Sequence, residues 1–218
     1  MALEGTHIRF AMEVRDSFRV QDYKKYVAGC IYPDSRYITG IDRGLTHDDS
    51  QMERIFWWDD DFKKGWATHV LYDKVQQDIH TEMFEDILKN GNPEMTWEED
   101  WIVRSALKII QDKFDVVSFD IHKYLDGLDY VETPNGEDYE LMKRYNRSYK
   151  NFYMKVPNVT VKDIEALWDE WNVSDENSKR IERMVHKMRE DEHLLERIEK
   201  VYGRTMDVFE EYFEKYCN

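Results

Sequence analysis

Gly65-Trp66-Ala67-Thr68-His69-Val70-Leu71-Tyr72-Asp73 sits inside a run of about 59–85 in which Phe62, Trp66, His69, Val70, Asp73, Gln77 and His80 recur at helical spacing. The run therefore reads as one long helix. His69 and Asp73, four residues apart, fall on one face, roughly 6 Å apart along the axis. An aspartate on an otherwise apolar stripe is expensive to bury unpaired, so an Arg, a Lys or a metal ion has to meet it. A plain His69 to Asp73 hydrogen bond is the structural alternative.

Outward from this helix the chain keeps reading as helix. Upstream, Thr6 opens a helix of about 7–18, and Asp22 caps a short one that ends at Gly29. A polar loop of about 30–50 follows. Downstream, Gly91-Asn92-Pro93 is a break, and Thr96-Trp97-Glu98-Glu99 is a capping box for a helix through Ile110. A further helix spans about 114–125. Gly127 and Thr133-Pro134-Asn135-Gly136 interrupt the chain, and helices follow at about 138–153, 161–171 after Thr160, 175–189 after Ser174, and 191–216. Strand-type alternation and hairpin turns are nearly absent, which predicts an all-α fold, a multi-helical metal-binding bundle with additional C-terminal helices. The strongest break suggests a domain over 1–130 with a helical extension over 131–218 packed on it, or one single domain over the whole chain.

Forty-six acidic against 31 basic residues give a formal net charge of −15, which repels phosphate backbones and argues against a nucleic-acid partner. No apolar stretch is long enough to span a membrane and no signal-type run opens the sequence, so the expectation is a soluble cytoplasmic protein without integral membrane association. Cys30 and Cys217 form no metal-type pair and read as bystanders.

The first third of the chain is rich in further ligand types: His7, Asp34 in Tyr32-Pro33-Asp34, His47 in Thr46-His47-Asp48-Asp49, and His80. Imidazole and carboxylate suit zinc, iron and manganese. Each has a plainer reading. Pro33-Asp34-Ser35 is ordinary turn chemistry, Asp48 and Asp49 can cap a helix, and Arg36 and Arg43 can be surface charges. His80 is three turns beyond His69, roughly 16 Å along the axis, too far to share one ion easily. His186 and His193 fall in heavily charged helices and read as solvated.

The ordered set His7, Pro33-Asp34, His47 and Gly65-x-x-x-His69-x-x-x-Asp73 resembles the signature of the zinc-dependent phospholipase C family, the all-α phosphodiesterases to which single-strand-specific zinc nucleases are related. The likeness spans about residues 6–80. It implies that Asp34, His47, His69 and Asp73 bind one divalent metal, most simply zinc, with iron or manganese open. It also implies that Asp73 can bridge to a second ion held by His7. His80 matches the family's next ligand in approximate spacing, and Glu94 or Glu98 would supply carboxylates to a third ion. The family's secreted members also use a processed N-terminal Trp, which Met1-Ala2-Leu3 does not offer, so one or two ions are expected.

Such a centre would activate water for attack on a small phosphoester, with Asp34 as ligand and as water-positioning group or base, and Arg36 or Arg43 holding a phosphate oxygen. A second reading takes His7, His47-Asp48 and Asp73 or Asp120 as the His…His-Asp…Asp order of HD phosphohydrolases, which leaves His69 unemployed. The two differ in whether Asp34 or Asp48 reaches the metal. A third reading is a non-catalytic helical protein with a closed metal site or polar network. The helices after Pro134 could serve as a lid or a homo-oligomer surface.

Overall fold

A computed structural model describes residues 3–171 and 175–217, with α-helices, 3-10 turns and no strand among them. In chain order the helices are α1 (Gly5–Val14), α2 (Tyr23–Ile31), the short turns α3 (Arg36–Thr39), α4 (Arg43–Thr46) and α5 (Ser50–Glu53), α6 (Asp61–Met83), α7 (Trp97–Ser118), α8 (Tyr139–Tyr153), α9 (Val161–Glu170), α10 (Asp175–Arg189) and α11 (Glu192–Tyr216). The fold is all-α, as expected, and no helix among the described residues is long and apolar enough to cross a membrane.

The predicted central helix is α6. It is buried on most of its circumference between Phe62 and Tyr72, while Gln77 and Asp78 near its C-terminal end are exposed. Against it lie α1, α2 and α11, and α7 packs on α1, α10 and α11. Gly29 and Gly65 set the contact of α2 with α6. A Cβ on Gly65 would stand 2.0 Å from the Tyr26 carbonyl oxygen, and one on Gly29 would stand 1.9 Å from the Phe62 carbonyl oxygen. No residue with a side chain fits at either place. A 2.9 Å hydrogen bond between the Tyr26 and Thr68 hydroxyls fixes the register of the two helices.

Several expected boundaries hold, because local chemistry sets them. Asp22 caps α2, Thr96 with Glu99 closes a capping box on α7, and Thr160 with Asp163 does so on α9. Ser174 lies outside the described residues. Others move for tertiary reasons. Thr6 does not cap α1: the helix begins at Gly5, and the Thr6 N–H donates to Asp112 Oδ1 of α7 at 2.8 Å. The expected helix over 114–125 is divided, α7 running on to Ser118 and a 3-10 segment covering Ile121–Asp129. The loop of 30–50 is helical in short pieces, beginning with a 3-10 turn, Tyr32–Ser35, that has Pro33 at its start.

The strongest sequence break is bound back to the first half. Gly136 takes φ +82°, which a glycine adopts without strain. Beside it the Asn135 amide donates to the Tyr32 hydroxyl at 2.6 Å, and that hydroxyl donates to Glu137. One apolar cluster runs from Ile8 and Val27 through Val70 and Leu107 to Tyr149, Ile198 and Phe209.

Candidate metal centre

Three chain segments bring ligand-type side chains to α6: α1 with His7, the Pro33 turn with Asp34 and the loop after α4 with His47. His69 is wholly buried, and its Nδ1 lies 2.7 Å from the Cys30 carbonyl oxygen at the end of α2. A carbonyl only accepts, so Nδ1 carries the proton and Nε2 keeps its lone pair. That Nε2 stands 3.9 Å from Asp73 Oδ2, one turn further along. Burial, with His7 beside it, pushes His69 well below the ordinary histidine range, so the ring is neutral at pH 7.

His47 follows the short helix α4. The loop that carries it is pinned to α6 by the Trp66 indole N–H, which donates to the Thr46 carbonyl at 2.6 Å. The Thr46 hydroxyl is turned to the Arg43 carbonyl at 3.4 Å, so it accepts from His47 Nδ1 at 2.9 Å and leaves Nε2 free. That Nε2 is 3.4 Å from Asp34 Oδ1 and 3.6 Å from Asp73 Oδ2. Asp34 is held on the 3-10 turn of Pro33. The Ile31 carbonyl just before that turn accepts the Tyr145 hydroxyl of α8 at 3.0 Å.

His7 on α1 stacks on His69, ring centroids 4.1 Å apart, with Nε2 3.5 Å from Asp73 Oδ1. Its Nδ1 faces Glu4 Oε2 at 3.5 Å. Glu4 is a carboxylate the sequence reading passed over. It is fully buried, its other oxygen lies 2.8 Å from the Tyr145 hydroxyl, which shares its one proton between Glu4 and the Ile31 carbonyl, and Glu4 is pushed well above the usual range by burial and by Asp34.

Asp34, His47 and His69 thus form a triad of ligand atoms within 4.8 Å of one another, and Asp73 closes on it through both histidines. Ligands around a tetrahedral zinc stand about 3.3 Å apart; the Asp34–His47, His47–Asp73 and His69–Asp73 contacts, at 3.4, 3.6 and 3.9 Å, lie near that spacing. The polar atoms without hydrogen-bond partners support this fit. Nε2 of His7, His47 and His69 are all buried and unsatisfied. Orphaned lone pairs are expensive in a dry interior, and those of His47 and His69, which face Asp34 and Asp73, fit a cation, while His7 has both ring nitrogens unpartnered. A second cluster, Glu4, His7 and His69, is ruled out as a ligand triad by the protonated Nδ1 of His69. Glu4 instead faces the Nδ1 edges of both rings, 3.5 Å from His7 and 3.9 Å from His69.

The remaining sequence candidates lie elsewhere or at the rim. His80 is not brought to the centre: Nε2 donates to Gln111 Oε1 at 2.9 Å in a buried network with Gln76 and Tyr72. Its place on the α6 stripe gave it the spacing of a ligand, but that turn of the helix faces α7. Glu94 and Glu98 are exposed, and Glu98 pairs with Arg180 at 2.5 Å, so no third ligand set forms around His80. Arg36 lies at the rim, Nε 4.0 Å from Asp34 Oδ1, with its guanidinium 4.1 Å over the Tyr37 ring and Nη2 donating to the Tyr37 hydroxyl at 2.7 Å. Arg43 is exposed, and its charge is felt at the Tyr37 phenol. Asp48 turns to solvent and accepts from Ser50 N at 3.0 Å. Lys108 of α7, also unmarked by any motif, reaches Asp73 Oδ1 at 3.1 Å.

The side chains of Asp73, Lys108 and Arg36 are 20–22% exposed while His69 is fully buried, so solvent reaches the cluster at these side chains. No protein-family model, curated protein or solved structure matches this chain.

Proposed function

We propose that this chain is a metal-dependent hydrolase of small phosphoesters, built around one divalent ion, most simply zinc, held by Asp34, His47, His69 and Asp73. The observation that carries the reading is the convergence of three buried, unsatisfied Nε2 atoms and two carboxylates, from four chain segments, beside a rim with solvent access. A divalent ion at such a site lowers the pKa of a bound water toward neutrality and draws charge from a phosphoryl oxygen.

The chain's own residues supply the rest. The Cys30 carbonyl and Thr46 hydroxyl hold His69 and His47 in the tautomers that present Nε2 inward. Asp34, with Oδ1 3.4 Å from His47 Nε2, is placed to bind the ion and to orient its water. Arg36 at the rim carries a buried Nε without a hydrogen-bond partner beside Asp34 and can donate it to a non-bridging phosphate oxygen. The net charge of −15 disfavours long polyanions and leaves compact phosphodiesters and phosphomonoesters as substrates.

The outward turn of Asp48 counts against the His-Asp arrangement of HD phosphohydrolases. Chromogenic aryl phosphodiesters and monoesters, assayed with zinc, manganese or iron, test the reading. Turnover should fall at least 100-fold in Asp34→Asn and stay within about twofold in Asp48→Asn. Loss of turnover in Asp48→Asn with Asp34→Asn unaffected would favour the HD arrangement, and no turnover with any metal would remove the enzymatic reading.

A further inference from the structure

The two oxygens of Asp73 keep different company. Oδ2 faces His47 and His69, 3.6 and 3.9 Å away, and belongs to the cage described above. Oδ1 faces His7 Nε2 at 3.5 Å and the Lys108 ammonium at 3.1 Å. A second ion bridged by Asp73 to His7 would have to bind Oδ1 at about 2 Å. The Lys108 ammonium is already on that oxygen, so two cations would crowd a single acceptor in a largely buried site.

Further ligands for such an ion are also missing. Glu4 lies at the Nδ1 edge of His7, across the ring from Asp73. His80 is committed to Gln111. The two protein ligands left are fewer than the three of an ordinary catalytic zinc.

We propose that the Lys108 ammonium takes the place of a second cation, so that the centre holds a single ion and Lys108 supplies the second positive charge to a phosphoester bound there. The inference rests on the metal-centre reading of the preceding subsection. Lys108 is suited to the role: its side chain is 20% exposed, where solvent reaches the cluster, and it reaches from α7 across to α6. A compact ammonium can exchange its contact with Asp73 for one with a phosphate oxygen without a change of ligands around the ion. In the transition state the same charge would face the leaving oxygen or a non-bridging one, where negative charge grows.

The test uses the full chain loaded with zinc and freed of excess, in wild type, Lys108→Met and Lys108→Arg. Zinc per chain is measured by elemental analysis, and inorganic phosphate binding by calorimetry. The proposal expects one zinc per chain in all three. It also expects phosphate affinity at least tenfold weaker in Lys108→Met and largely restored in Lys108→Arg. Two zinc ions in the wild type, or phosphate bound as tightly by Lys108→Met as by the wild type, would overturn the assignment of Lys108 and leave the metal centre standing. A wild type that binds no zinc would overturn both.

Discussion

At His69 a backbone carbonyl decides which nitrogen is free, and the rest of the centre depends on that choice. The pairing of His69 with Asp73 is legible in the sequence because both lie on one helix, and the order of Asp34 and His47 is legible through the Pro-Asp and loop-histidine pattern. Glu4 and Lys108 were not, because each reaches the site only through packing, from the start of α1 and from α7. Asp112 shows the same limit: it serves as the N-terminal cap of a helix more than a hundred residues away in sequence. Its burial, together with the charge of Asp115, pushes the carboxyl up to about 7 from an ordinary 3.8. Well below 3.8 the group is protonated folded and unfolded alike, and near pH 4 the difference between the two states is still small. As the pH rises toward 7 the unfolded chain loses the proton first, and stability falls. Asp112→Asn should therefore match the wild type near pH 4 and exceed it by on the order of 2 kcal/mol at pH 8, read from urea midpoints across that range. An equal difference at both pH values would show that Asp112 does not titrate as described.

On the scale of single elements, α6 is the scaffold of the site, and its glycine has a steric purpose. Gly65 allows α2 to approach closely enough for the Cys30 carbonyl to reach His69. Gly65→Ala places a methyl 2.0 Å from the Tyr26 carbonyl oxygen and should destabilise the fold by about 3 kcal/mol and weaken zinc binding with it. Gly203→Ala on α11, with no atom within 4 Å of the added methyl, should be stabilising by about 0.5–1 kcal/mol. Thermal unfolding of the pair separates crowding from helix propensity. A neutral Gly65→Ala would mean that α2 and α6 do not cross as tightly as described. Helix caps were readable because they are local hydrogen bonds between side chain and backbone. His80 misled because its spacing fixes which side of α6 it takes and leaves open which neighbour packs there.

Across the whole molecule, the C-terminal half completes the site. Tyr145 of α8 holds both Glu4 and the Ile31 carbonyl, Tyr153 donates to Asp112, and Asn135 holds the Tyr32 hydroxyl beside the Asp34 turn. The Pro134-Asn135-Gly136 break is visible in sequence as a turn, but its hydrogen bonds to the first half are not, and a boundary drawn there cuts through shared core. A chain ending at residue 130 should fail to unfold cooperatively and should bind no zinc, whereas the full chain should unfold in one transition followed alike by tryptophan fluorescence and circular dichroism. A cooperative, zinc-binding fragment would instead establish an independent N-terminal domain.

The most direct test of the metal centre is metal content after incubation with zinc, manganese and iron, in wild type beside His69→Ala, Asp73→Ala and His80→Ala. About one ion per chain is expected in the wild type and in His80→Ala, and loss of that ion in His69→Ala and Asp73→Ala. A wild type without metal, or metal retained when His69 and Asp73 are each removed, would contradict the centre described.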